Sequence, residues 1–418
     1  MSLSPIRRVA VLQDGARMHY GLPLALQRAG LLDRVFTEFY SSPGSVESSV
    51  VRWLSKWRPA LAKRMALRYC SELELDKIVR NPWLLAPQQL AKLGATSAEA
   101  HFRRCTDVVG RWVRRVGLGR ADAFVGFVRN VDPKLCRYAR RRGLTVVGDQ
   151  IIAPAFVENR ECRIQTERFP NWESPPALTS VRALERATWD ECDHLTAPSE
   201  YVRDGLIEEG VDAAKISVLP YPVAPDWFRP TDRRGVRGGV TVGFVGTVNL
   251  RKGIPYLFDT ARRLPNTNFR FVAAGPIQLH AAVVAQHKGP VEVIGRVSRQ
   301  DVARLLDEFD IFYFPSTCEG SAGSVMEAMM AGLPVVCSPN TGSLVRDGID
   351  GYLVDYDDTE RAAELLAELA RDPERRLAMG RSARERAVSF SVDHYSRMWI
   401  DLFDRLSRQN ACKPKCGS

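Results

Sequence analysis

Apolar residues along this chain come in short runs separated by longer amphipathic stretches, and the pattern is laid down twice. In the first half, Arg8 to Leu12, Ala123 to Val128, Thr145 to Gly148, His194 to Ala197 and Ile216 to Leu219 read as strands. A loop from Gln13 to Gly21 precedes a helix ending near Leu32, and most of 45–117 reads as helical and basic. Pro133 to Arg142 is a further helix, and Ser199 caps one that carries Val202 to Glu209. In the second half, Val240 to Val245, Phe269 to Ala274, Val291 to Ile294, Ile311 to Phe314 and Pro334 to Cys337 are strands with helices between them. Strands alternating with helices imply parallel, doubly wound sheets, so the expected fold is α/β with two Rossmann-like domains facing a cleft. Ligands of such sheets bind at the carboxyl ends of the strands. Composition predicts the boundaries: a first domain over 1–225, an exposed Pro/Arg/Gly-rich linker over 226–239, a second domain over 240–385, an amphipathic last helix over 386–410 with Tyr395, Trp399, Leu402 and Phe403, and a flexible tail over 411–418.

A length of 418 residues is too great for one hydrophobic core, which supports the division in two. With 45% hydrophobic and 26% charged residues the chain reads as a globular protein, and it has no apolar run of the roughly 18 residues a membrane span requires. Met1 to Arg8 leads straight into a strand, so no signal peptide is expected. Nine cysteines, an odd number, argue against a complete disulfide framework and for a reducing cytoplasm.

The net charge of +10 bears on partners. Between Val50 and Tyr69, Arg52, Lys56, Arg58, Lys63, Arg64 and Arg68 occur without an acidic residue. Val50, Trp53, Leu54, Trp57 and Leu61 recur at helical spacing, with Pro59 interrupting the helix or starting a second one. Such a segment either lies on an anionic membrane surface or turns its apolar face into the core. Further basic runs at 111–120 and 137–142 contain only Trp112 and Tyr138 as aromatics, too few for a stacking platform, so nucleic acid is not an expected partner.

The chemistry concentrates between Pro315 and Val336. A strand runs into a loop of small residues holding Glu319, and the loop opens a helix carrying Glu327 eight positions on. Small residues admit close approach to the backbone, and the free N–H groups of a helix start favour a phosphate. Two carboxylates beside it accept hydrogen bonds from hydroxyls. Phosphate plus hydroxyls describes a nucleotide-sugar. A second anion candidate follows the strand 241–245, where Gly246 permits a tight turn and Arg251 and Lys252 precede a helix. Asp355-Tyr356-Asp357-Asp358 resembles a metal-binding Asp-x-Asp, but it precedes a helix and reads as capping, so no metal is expected. No G-x-G-x-x-G follows Leu12 or Val245, which disfavours a nicotinamide enzyme.

Glu319 and Glu327, followed by Ala328-Met329-Met330-Ala331-Gly332-Leu333-Pro334-Val335, resemble the signature of the retaining GT-B glycosyltransferases of family 4, the group 1 type. Gly246 with Arg251-Lys252-Gly253, Gly275-Pro276, Gly295-Arg296 and Gly351-Tyr352-Leu353-Val354 extend the resemblance over the second half. It implies a GT-B fold whose last helix crosses back to the first domain. It also implies transfer of a sugar from a nucleotide-sugar donor to a glycan, a lipid-linked saccharide or a small molecule, with no cofactor. By the same resemblance Glu319, Lys252 and Arg251 would be catalytic, with Glu319 on the transferred sugar and Lys252 on the leaving diphosphate. Glu327 would hold the ribose. Gly320, Ala322, Gly323, Ser324, Val325 and Gly246 would line the donor, and Arg296 would border its base. Gly15, His19, Asp149 and Gln150 would face the acceptor. Two features depart from the family: Thr247 stands where many members have Arg, and the stretch Val146 to Gln150 lacks the usual His. They keep open an inactive sugar-nucleotide or glycan-binding protein, and the shared fold keeps open a nucleotide-sugar epimerase.

Overall fold

The computed structural model describes residues 5–84, 98–173, 179–223, 239–265, 268–287 and 289–412. Most of the expected linker and the end of the tail lie outside them. The first domain's strands are β1 (Val9–Leu12), β2 (Leu32–Thr37), β3 (Ile78–Arg80), β4 (Ala123–Phe127), β5 (Thr145–Asp149), β6 (His194–Ala197) and β7 (Ile216–Val218). They form one sheet in the order β3-β2-β1-β4-β5-β6-β7. The second domain contributes β8 (Val240–Val245), β9 (Phe269–Ala274), β10 (Val291–Gly295), β11 (Ile311–Phe314), β12 (Val335–Cys337) and β13 (Gly351–Leu353), in the order β10-β9-β8-β11-β12-β13. Every adjacent pair is parallel. Helices cover both faces, which is why β1, β4, β5 and β11 are buried along their whole length.

Three strands were not apparent from hydrophobic pattern. β2 carries Asp33 and Arg34 within it, and β3 and β13 are only three residues long. The first helix ends at Arg28, and Gly30 at φ +71° turns the chain into β2. The basic stretch 45–117 divides into helices Val46–Ser55 and Pro59–Ala66, the strand β3, and the helix Ala98–Val116. Pro59 starts the second of these helices, where its missing N–H costs nothing.

Register brings the functional loops together. Leu12 pairs with Phe36 and Gly126, and Phe127 pairs with Asp149, so the loops after β1, β4 and β5 leave the first sheet side by side. The loops after β8 and β11 leave the second sheet likewise. Contacts between the domains include two near the points where the chain passes from one to the other. Phe169 and Trp172, which follow the helix Ala155–Arg168, pack against the second domain's core, and Leu250 N–H donates to Glu173 Oε2 at 2.9 Å. At the other crossing, Val223 N–H donates to Phe390 O at 2.9 Å. The helix Pro373–Ser389 ends the second domain, and after a break at Phe390 and Ser391 the expected last helix runs over Val392–Cys412, starting six residues later than 386. The latter returns to the first domain, where Tyr395, Trp399, Leu402 and Phe403 join the core with Leu22 and Leu26 of the helix Gly21–Arg28. Asp358 caps its helix through Arg361 N–H at 3.0 Å, and Asp357 pairs with Arg168 at 3.0 Å.

Candidate active site

On the second-domain face, the turn after β8 brings Arg251 and Lys252 against the loop after β11. Gly253, at φ +73°, makes this possible, since a Cβ there would fall 1.7 Å from Pro315 O. Arg251 O accepts from Thr317 N–H at 2.9 Å, which fixes the turn to the loop. Glu319 Oε1 then receives Lys252 Nζ at 2.5 Å, Arg251 Nη1 at 3.0 Å and Ser316 Oγ at 2.9 Å. Burial alone would raise the Glu319 pKa, but Lys252 and then Arg251 outweigh it and hold the carboxyl below its ordinary range. Burial lowers Lys252, with Glu319 partly offsetting it. The result is two cations fixed by one carboxylate.

Beside them the helix Gly323–Met330 begins without a side-chain cap. Ala322 N–H is committed to Thr341 O, and Val325 N–H to Ala322 O. The N–H groups of Gly323 and Ser324 have no acceptor among the described residues, and a Cβ on Gly323 would meet nothing within 4 Å. The helix mouth is open, with two donors available for an anion. Glu327 lies farther along this helix, half-buried, with Oε1 2.8 Å from Arg299. Gly246 directly follows β8 and Arg296 stands exposed just past β10.

Gly320, which lines the cleft, is also pressed against the first domain. A Cβ there would lie 2.0 Å from Ile151 O, so the close neighbour is the first domain's own backbone. Ser199 Oγ, the cap expected from sequence, also donates to Gly320 O at 2.6 Å and ties the domains together. Asp149 and Gln150 are likewise turned inward. Asp149 accepts from Thr196 and Tyr221, both at 3.1 Å, and burial raises its pKa to about 7. Gln150 accepts from Trp189 Nε1 at 3.0 Å and donates to Glu185 at 2.9 Å. Both side chains are buried, so neither is open to a sugar as the structure stands. Gly15 N–H donates to Glu38 Oε2 at 3.3 Å. His19 is exposed at its surface but partly desolvated by the atoms around it, and this, followed by the charge of Arg299 across the cleft, lowers its pKa.

The residues missed by sequence reasoning lie on the first-domain wall. Arg129, just after β4, donates to Glu185 at 2.6 Å, Glu158 at 2.7 Å and Ala153 O at 2.9 Å. Burial works against its charge, and the two acids outweigh burial and raise its pKa. Glu158 approaches Arg251 of the other domain at 4.0 Å. Charges therefore alternate from Glu185 through Arg129, Glu158, Arg251 and Glu319 to Lys252, crossing between the domains. An open cavity of about 450 Å³ adjoins this chain, with Arg17, Phe127, Arg129 and Asn130 on one wall and Glu319, Gly320 and Ser321 on the other. No isolated signal marked Arg129 or Glu158, because their roles depend on partners distant in sequence.

Outside the cleft, the helices from Val46 and Pro59 divide the apolar pattern between two faces. Val51, Leu54, Ala62 and Met65 pack with Phe39. Val50, Trp53, Trp57 and Leu61 face outward, with Trp53 61% and Trp57 72% exposed. Arg52, Lys56, Arg58 and Lys63 are exposed around them.

Comparison with known proteins gives this geometry a context. Residues 239–372 match a family model described as glycosyl transferases group 1. A D-inositol 3-phosphate glycosyltransferase of Mycolicibacterium paratuberculosis is 31% identical over 258 residues, covering 57% of this chain and 58% of that protein. Its Mycobacterium tuberculosis counterpart is 30% identical over 268 residues, covering 58% of this chain and 54% of that protein. The chain thus spans little more than half the length of these relatives. Among solved structures, sucrose-phosphate synthase from Thermosynechococcus elongatus superposes with a TM-score of 0.68 at 15% identity, covering 96% of this chain and all of that one. Anabaena HepE in complex with UDP and glucose gives 0.61 at 14% identity, with the same coverage. The fold is GT-B.

Proposed function

We propose, from a second domain that matches a family model described as glycosyl transferases group 1, that this protein transfers a sugar from a nucleotide-sugar donor to an acceptor hydroxyl with retention of configuration. The observation that carries the reading is the convergence of Lys252 and Arg251 on Glu319 beside the uncapped mouth of the Gly323 helix. Glycosyl transfer leaves negative charge on the departing diphosphate and positive charge on the sugar. Cations and N–H donors already in place stabilise that leaving group without reorganisation. Lys252 and Arg251 are assigned to the diphosphate together with the Gly323 and Ser324 N–H groups, Glu319 to the cations and the sugar, and Glu327 to the ribose. These cations meet the leaving-group charge in a reaction that calls for no metal. Retention fits a route in which the leaving diphosphate takes the acceptor proton on the same face, without a protein nucleophile. The HepE complexes, with UDP and glucose in one and UDP-glucose in another, make a UDP-sugar the first donor to test.

The acceptor is assigned to the first-domain wall, as a glycan, a lipid-linked saccharide or a small molecule. The decisive assay follows nucleotide release and the anomeric product by NMR, over a panel of nucleotide-sugars with and without acceptors. Acceptor-dependent product of retained configuration is expected. Product from donor alone would identify an epimerase, and binding without turnover an inactive binding protein.

The outward face of the Val46 and Pro59 helices supports a second assignment, peripheral docking on an anionic membrane. Two exposed Trp rings among exposed cations suit the interface between headgroups and water. Among the described residues no helix is long and apolar enough to cross a membrane. Sedimentation with phosphatidylglycerol vesicles should exceed that with phosphatidylcholine, fall with salt, and drop about tenfold or more in a Trp53→Ala, Trp57→Ala double variant. Equal sedimentation of variant and parent would refute the assignment.

A further inference from the structure

The loop after β1 contains a left-handed turn. Met18, His19 and Tyr20 have φ of 48°, 50° and 63°, and none is glycine. This conformation costs roughly 1–2 kcal/mol per residue, so it persists only where the surroundings over-determine it. Here Tyr20 is buried with its ring centroid 5.3 Å from that of Tyr40. Gln13 Nε2 donates to Gly15 O and Arg17 O, both at 3.2 Å. His19 N–H donates to Ala16 O at 3.1 Å.

What the turn presents is Arg17. Its guanidinium carbon lies 5.7 Å from the Phe127 ring centroid, and Nη2 donates to Asn130 Oδ1 at 3.3 Å. Both supports are neutral. Arg17 is exposed on the first-domain wall of the cleft, opposite Glu319, Gly320 and Ser321. Among the described residues it makes no ion pair, and the nearby acid, Asp14, is engaged by the other end of the same amide, Asn130 Nδ2, at 3.3 Å. Other cations of the site are committed: Arg129 to Glu185 and Glu158, and Arg251 and Lys252 to Glu319. The charge of Arg17 is felt by the buried Asp149 carboxyl, but without a direct ion pair. A held guanidinium fork of this kind, across the cleft from Arg251 and Lys252, is suited to a phosphate or another oxyanion.

We propose that Arg17 is a specificity-determining residue, selecting an acceptor that carries an anionic group near its attacking hydroxyl. This rests on the transferase reading, and the test separates the two. Binding is measured first without donor, by calorimetry, using glucose 6-phosphate, glucose, and the short-chain lipid dihexanoyl-phosphatidylinositol as probes. One of the phosphorylated probes should bind at least tenfold tighter than glucose, and which one does so distinguishes a soluble sugar phosphate from a lipid headgroup. Arg17→Ala should weaken that binding about tenfold or more, and Arg17→Lys should restore part of it. In turnover assays the acceptor KM should rise in Arg17→Ala while kcat is largely kept. Loss of preference in Arg17→Ala without any turnover in the parent would sink the transferase reading alone. No preference for a phosphorylated probe in the parent, or equal weakening of phosphorylated and neutral probes in Arg17→Ala, would overturn the role of Arg17.

Discussion

The two walls of the cleft are built on different principles. On the second-domain wall, the candidate donor residues other than Arg296 come from two continuous segments, 246–253 and 315–327, whose backbones are bonded to each other. The first-domain wall is assembled from Arg17, Arg129, Glu158 and Glu185, each on a separate loop or helix and held by side-chain partners. The second wall is fixed mainly by backbone geometry, the first mainly by charge pairing. If this contrast is functional, substitutions on the second wall should disable chemistry outright, whereas those on the first should tune it.

The largest expected effect is therefore at Lys252. Lys252→Ala removes a buried cation assigned to the leaving group, and kcat should fall by roughly 10²–10³, as for loss of one preorganised stabilising group. Glu327→Ala should instead weaken donor binding and raise the donor KM, with a smaller change in kcat. Steady-state kinetics with a UDP-sugar, together with calorimetry using UDP, distinguishes the two. Unchanged binding and turnover in both variants would remove the second wall from the site.

The same contrast explains what the sequence disclosed. Gly253 needs a positive φ and leaves no room for a side chain, and the small residues around Gly323 leave a helix start open. Such backbone requirements restrict residue type locally, so the turn at Gly253, the open helix start and the α/β alternation that carries them are readable from sequence. Gly320 shows the limit of that inference. Its small size is required, but by Ile151 of the other domain, and no local pattern distinguishes a ligand from the protein's own backbone. Arg129 and Glu158 resemble any surface pair in sequence, and only the sheet order brings them together. The Trp53 stripe was equally ambiguous, since a period of 3.6 marks a face without saying what covers it.

Glu158 tests whether the walls communicate. It is the first-domain acid that approaches Arg251, while it also accepts from Arg129. Glu158→Gln keeps the shape and removes the charge. As a positioning residue it should lower kcat about tenfold, or ~1.4 kcal/mol, with little change in UDP affinity. Glu158→Asp should recover part of the loss. A thermal melt of each variant separates this from general destabilisation. If kcat is unaffected, the alternating charges serve only to hold the domains together.

The smallest effect on turnover is expected at Asp149, and it appears as a pH dependence of stability. Burial raises this carboxyl to about 7, against the hydrogen bonds from Tyr221 and Thr196 that favour its charged form. The unfolded chain releases the proton near pH 4. Between about pH 4 and 7 the folded state therefore holds a proton that the unfolded state has lost, and this group's contribution to stability declines as pH rises. Glu38, raised to about 7 by burial and then by Asp14, contributes with the same sign. Asp149→Asn removes one contribution and leaves the other. Relative to the parent, its melting temperature should gain progressively from pH 4 to 7 and level off above, by several degrees in all. A difference between variant and parent that stays constant across this range would mean that Asp149 is ionised in the folded protein, and that the inward-facing end of β5 is less isolated from solvent than its burial implies.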